Sequence, residues 1–142
     1  MLFPTEQAFK MDFIRRVKAL KKCFPFAVET EETIKGFPDV LIISKARETS
    51  LVECKISKRG YIHFQSTQFA FFRKYAELDI HILAWNALTE QVHYFSAASL
   101  LDKKSVYFAD GMQNIDLNYA ESMNLGVPFD VWLSMLEAVW GA

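Results

Sequence analysis

Residues 38–56, PDVLIISKARETSLVECKI, constrain the fold more than any other part of the chain. Two apolar runs, PDVLIISK and SLVECKI, flank the polar turn KARET. A short polar connection between strand-like runs closes an antiparallel hairpin. Three residues sit where apolar ones would be cheaper: Asp39 opens the first run, and Glu53 and Lys55 interrupt the second. Strand side chains alternate faces with a period of two. Glu53 and Lys55 therefore point one way, and Val52, Cys54 and Ile56 the other. On that pattern Cys54 is a small packing residue. Pairing of the hairpin brings Asp39 to the end that carries Lys55, so the two carboxylates approach across the ladder.

The flanking segments read as a continuous α/β unit. Residues 5–22 form an amphipathic helix capped by Thr5, with Phe9, Phe13, Val17 and Leu20 as the buried stripe. Glu6 projects from the inward side of the helix start, where an acid also complements the helix dipole. PFAVETEET, 25–33, is a short strand entering an acidic bend, and SKRGYIHF, 57–64, is a basic loop. Residues 66–78 form a second helix, capped by Ser66 or Thr67. Strands follow at 79–85 and 91–97. Residues 98–128 carry less pattern: a strand-like SVYFA and an Asp110-Gly111 turn. Residues 129–140 close the chain as a helix with Asp130 as its cap. The fold class expected is α/β, a mixed central sheet flanked by helices. One domain over 1–142 is expected, with 98–142 completing the core or forming an interface.

Composition removes several function classes. Hydrophobic residues make up 51% and aromatics 15% of 142 residues, enough for a packed core. No apolar run approaches the ~20 residues of a membrane span, and MLFPTEQAFK has neither a basic n-region nor an apolar h-region. A cytoplasmic or nucleoid-associated protein is expected, not a secreted one. Cys23 and Cys54 set neither a disulfide framework nor zinc spacing. His63, His81 and His93 form no metal spacing; His81 and His93 fall on adjacent strands and are expected to pair across the sheet. No nucleotide cofactor is expected. The net charge of −1 gives no global attraction for DNA, although Lys58-Arg59 and Arg73-Lys74 are local basic pairs.

Two carboxylates in close quarters raise each other's pKa and repel unless a cation joins them. A hard cation such as Mg²⁺, with Mn²⁺ able to substitute, is the natural resolution. With a lysine beside it, such an ion suits phosphoryl chemistry.

Gly36-Phe37-Pro38-Asp39 followed by Glu53-Cys54-Lys55 resembles the PD-(D/E)xK nuclease superfamily, and most of all its VRR-NUC and Holliday-junction-resolvase-like branches. Those branches carry a Gln near the start of the next helix. Gln68 in FQSTQFAFF takes that place, with Gln65 as a competitor. They also carry an acid on the N-terminal helix. Glu6 matches it, and the cluster Glu29, Glu31 and Glu32 is the alternative. The resemblance spans about residues 5–95, and only its motif residues are specific.

The resemblance implies a restriction-endonuclease-like core and hydrolysis of DNA phosphodiesters to leave a 5′-phosphate. Asp39 and Glu53 would bind the metal, with the Cys54 backbone carbonyl as a further ligand. Lys55 would orient or activate the attacking water. Gln68 would support the site or contact a phosphate, and Glu6 would be an outer or second-metal acid. Lys58, Arg59, Arg73 and Lys74 would contact the DNA backbone. Tyr61 and His63 are expected to serve packing or a strand edge. A homodimer acting on branched or structured DNA is expected. The rivals are a restriction- or repair-type nuclease on duplex or single-stranded DNA, a non-catalytic DNA- or protein-binding module, and a purely structural protein.

Overall fold

The computed structural model describes residues 2–28, 36–101, 106–109, 112–117 and 126–141. Helix α1, Glu6–Ala19, begins where the Thr5 hydroxyl accepts the Ala8 N–H at 3.0 Å. It buries Phe9, Phe13 and Val17, with Leu20 packed partly against them. Strands β1 (Cys23–Ala27), β2 (Val40–Ser44), β3 (Thr49–Ser57), β4 (Tyr61–Gln65), helix α2 (Ser66–Lys74), β5 (Ile80–Asn86) and β6 (Gln91–Ser96) follow. The short helix α3 (Ala97–Leu100), strands β7 (Val106–Ala109), β8 (Met112–Asp116) and β9 (Gly126–Pro128), and helix α4 (Phe129–Trp140) complete the chain.

Six strands form one sheet in the order β1-β2-β3-β5-β6-β9. The expected hairpin is there: β2 and β3 are antiparallel, with Val40 opposite Val52. Between β3 and β5 the pairing is parallel, because the chain crosses over through β4 and α2. The other pairs of this sheet are antiparallel, so the sheet is mixed. A second sheet, β4-β8-β7, lies beside it.

The alternation along β3 divides the core. Val52 and Cys54 join Phe9, Phe13, Val17, Trp132, Leu136 and Trp140, so α1 and α4 cover that face. Leu51 joins Ile62, Phe64, Phe69, Phe72 and Ile115, so α2 and the second sheet cover the other. No described helix is long and apolar enough to cross a membrane.

Several details differ from the sequence reading. SKRGYIHF is a turn followed by β4, because Ile62 and Phe64 bury inward while Tyr61 and His63 face out. Gln65, not Ser66 or Thr67, is the N-cap of α2. Pro128 precedes α4, and Asp130 lies in its first turn, where it complements the dipole without capping. His81 and His93 do not pair: His81 contacts the Tyr94 hydroxyl at 2.7 Å and Asp79 at 2.8 Å, whereas His93 lies 3.5 Å from Asn86. The acidic bend at 29–33 and the Asp110-Gly111 turn lie outside the described residues.

Trp132, 2% exposed, ties the C-terminal helix into the first core. Trp132→Ala is expected to cost about 3–5 kcal/mol in denaturant unfolding. A loss no larger than that of a substitution at exposed Leu88 would contradict this packing role.

Candidate functional site

The register of the hairpin builds the site. Continuing the Val40–Val52 pairing by one residue sets Asp39 opposite Glu53. Opposite residues of an antiparallel pair share a face, so both carboxylates lie on the α2 side of the sheet. Here the ladder gives way to the side chain: Asp39 Oδ1 accepts the Cys54 N–H at 3.1 Å. The segment before Asp39 passes close to the first turn of α2. Gly36 stands at φ +84°, and a Cβ there would lie 2.1 Å from the Thr67 carbonyl oxygen. Both the left-handed backbone and the close approach require glycine at this place.

Gln68 connects the polar groups. Its Nε2 donates to Glu53 Oε2 at 3.0 Å, and its Oε1 accepts from Lys55 Nζ at 3.2 Å. The same Oε1 accepts the Gln65 N–H at 2.9 Å, which fixes both the start of α2 and the amide orientation. Lys55 Nζ stands 3.6 Å from Glu53 Oε2, at ion-pair distance, and 4.8 Å over the Phe64 ring. Glu53 and Lys55 are 5% and 8% exposed, so the pair sits in a poorly solvated environment. Cys54 turns to the opposite face and is fully buried, which pushes its thiol well above the usual range and leaves it inert.

Burial dominates the electrostatics. It pushes the Asp39 carboxyl up to about 6, opposed by the Cys54 N–H and Lys10 and reinforced by Glu6. Glu53 is pushed up to about 8, first by burial, then by Asp39, with Lys55 opposing. The structure thus sets two acids together where neither is easily ionised on its own.

Glu6 reaches this site from the start of α1. Its Oε1 accepts the Ile56 N–H at 3.5 Å, and its charge acts on both Asp39 and Glu53. Lys10, one turn further along α1, was not singled out in the sequence; its i, i+4 spacing from Glu6 was the available signal. The alternative acids Glu29, Glu31 and Glu32 lie outside the described residues. Lys58 and Arg59 are exposed beyond the end of β3 and line a cleft with Ile56 and Tyr61. Arg73 and Lys74 stand at the end of α2 away from Gln68, lying over the Phe69 and Tyr75 rings at 5.9 and 5.4 Å.

The oxygen-rich character of Asp39 and Glu53 suits a hard cation rather than zinc. Among the described residues, no group of three or more His, Cys, Asp or Glu side chains is assembled to hold a metal ion. A cation here would rest on two carboxylates with backbone and water oxygens. That is the habit of Mg²⁺, which keeps several waters and takes one or two carboxylates.

No protein-family model matches the chain, and no curated protein does. Solved structures share the fold. Hjc, a Holliday junction resolvase from the archaeal hyperthermophile Archaeoglobus fulgidus, superposes with a TM-score of 0.55 at 14% identity. The match covers 89% of this chain and 98% of that one. A nuclease from a fusselovirus gives a TM-score of 0.52 at 10% identity, over 94% of this chain and 86% of that one. At these identities the likeness shows the fold, a mixed sheet flanked by helices.

The raised carboxyls make metal-free stability depend on pH in a stated direction. Between the ordinary carboxylate range and about 8, folded Glu53 keeps a proton that the unfolded chain has released. The folded state binds more protons there, so stability falls as pH rises through that window. Denaturant unfolding in chelator across the window is expected to show this fall, and Glu53→Gln is expected to flatten it. A wild-type stability that rises with pH there would contradict burial as the dominant influence on the two acids.

Proposed function

We propose that the chain is a Mg²⁺-dependent nuclease of the PD-(D/E)xK type that hydrolyses DNA phosphodiester bonds, with branched or otherwise structured DNA as substrate. The observation that carries this reading is the Gln68 amide joined to both Glu53 and Lys55, across the hairpin from Asp39. The fold shared with a Holliday junction resolvase and a viral nuclease supports it.

On this reading Asp39 and Glu53, with the Cys54 carbonyl, hold Mg²⁺, and Mn²⁺ replaces it. The bound ion supplies Lewis-acid polarisation of the phosphate and a water of lowered pKa. Ionised Asp39 and Glu53 gain the counter-charge their burial otherwise denies them. Lys55, held by Gln68 and by the Phe64 ring, keeps its ammonium where charge develops on the phosphate oxygens. It also orients the attacking water. Glu6 serves as an outer acid at the mouth of the site. Lys58 and Arg59 neutralise backbone phosphates and position the strand without reading sequence. Arg73 and Lys74 extend that contact along α2. The homodimer has its support in edge strand β1, where Phe24 and Phe26 are 54% and 50% exposed.

The test is incubation with Mg²⁺ and a panel of linear, nicked, flapped and four-way DNAs. Cleavage is expected, with a preference for the flapped and four-way forms. Asp39→Ala and Lys55→Ala are each expected to lower the rate at least about a hundredfold. DNA binding without cleavage of any substrate would favour a non-catalytic module instead. Cutting that survives both substitutions would remove the site assignment.

A further inference from the structure

At the end of β3, past Glu53 and Lys55, lies a cleft of about 680 Å³, lined by Ile56, Lys58, Arg59, Tyr61, His63 and Asn114. Its link to the acid site is Ile56, which lines the cleft and whose N–H donates to Glu6. Two elements make the walls. The end of β3 and the following turn supply Ile56, Lys58 and Arg59. The outer face of β4 and β8 supplies Tyr61, His63 and Asn114, because Ile62 and Phe64 take the inner face. Gly60, at φ +89°, turns the chain from one wall into the other. The register sets His63 opposite Asn114, and the two side chains hydrogen-bond.

This lining differs from what a phosphate backbone alone requires. Lys58 and Arg59 would be sufficient for that. An exposed phenol and an imidazole on an open sheet face form a stacking surface for planar bases. The Asn114 amide beside them, its Oδ1 joined to His63, carries NH2 donors of the kind a base edge pairs with. The volume falls in the range of pockets that enclose a small organic group. Continuous duplex keeps its base faces inside the stack and offers only edges in the grooves. An unpaired nucleotide offers its face.

We propose that this cleft receives an unpaired base of the DNA strand next to the phosphate held at the acid site. The preferred substrate then carries single-stranded or splayed nucleotides at the cut. This inference deepens the nuclease reading and rests on it for the identity of the substrate as DNA. Tyr61 is the stacking residue, Asn114 addresses the base edge, and Lys58 and Arg59 hold the flanking phosphates.

The experiment measures binding in chelator by fluorescence anisotropy, using the full chain, a labelled oligothymidylate and a duplex of equal length. The wild type is expected to bind the single strand more tightly. Tyr61→Ala is expected to weaken single-strand binding about tenfold and leave duplex binding unchanged. Tyr61→Phe, which keeps the ring, is expected to stay within about twofold of wild type. Lys58→Ala is expected to weaken both DNAs alike and to reduce the salt dependence by about one counterion. Tyr61 is exposed and outside both cores, and a thermal melt checks that each variant is folded. Tyr61→Ala binding both DNAs as the wild type does, or losing both equally, overturns the proposal. Tyr61→Phe losing as much as Tyr61→Ala overturns it too. The expected binding pattern without any Mg²⁺-dependent cleavage removes the nuclease reading and leaves the base site standing. Cleavage of a splayed substrate at wild-type rate by Tyr61→Ala removes the base site alone.

Discussion

A carboxylate buried to 5% exposure at Glu53 sets the terms for the elements around it. Desolvating an acid costs several kcal/mol unless partners replace the lost water. The partners come from separate parts of the chain. Lys55 stands two residues further along the same strand face, and Gln68 arrives on α2. Helix α2 must then begin at Gln65, since the Gln65 N–H holds the Gln68 amide oxygen. The segment leading to Asp39 must run against that first turn, which only Gly36 permits. Strand β4 sets Phe64 under the Lys55 ammonium. Hairpin, loop, helix and second sheet are thus tied to one acid.

That compensation is incomplete, and the shortfall is informative. Lys55 and Gln68 satisfy Glu53 from one side, yet Asp39 adds a second acid on the other. A chain selected for stability alone would do better with apolar residues at both places. The cost is understandable if a bound cation supplies the missing charge. The fold does not argue this, because a fold hosts many activities.

The hairpin and its polar face were legible in the sequence because period-two alternation is strict on a strand whose other face is core. Asp39, Glu53 and Lys55 followed from that alternation, while Gln68 and Glu6 came from the resemblance; Gln68 joins Glu53 and Lys55, and Glu6 accepts the Ile56 N–H. β4 was missed because Lys58, Arg59 and Gly60 mask a run of five residues whose alternation starts only at Tyr61. The cap of α2 was missed because propensity favours Ser66 and Thr67, whereas the contact made by Gln68 decides where the helix begins. The parallel pairing of β3 with β5 and the existence of a second sheet are long-range choices that local pattern does not encode. His81 chose Tyr94 and Asp79 because register set Ala84, not His81, opposite His93.

The central claim is that Asp39 and Glu53 form a metal centre. A crystal soaked in Mn²⁺, examined by anomalous scattering, tests it most directly. The account predicts a metal peak within ligand distance of the Asp39 and Glu53 carboxylates, with Lys55 and Gln68 still joined beside it. A metal peak touching neither carboxylate would contradict it.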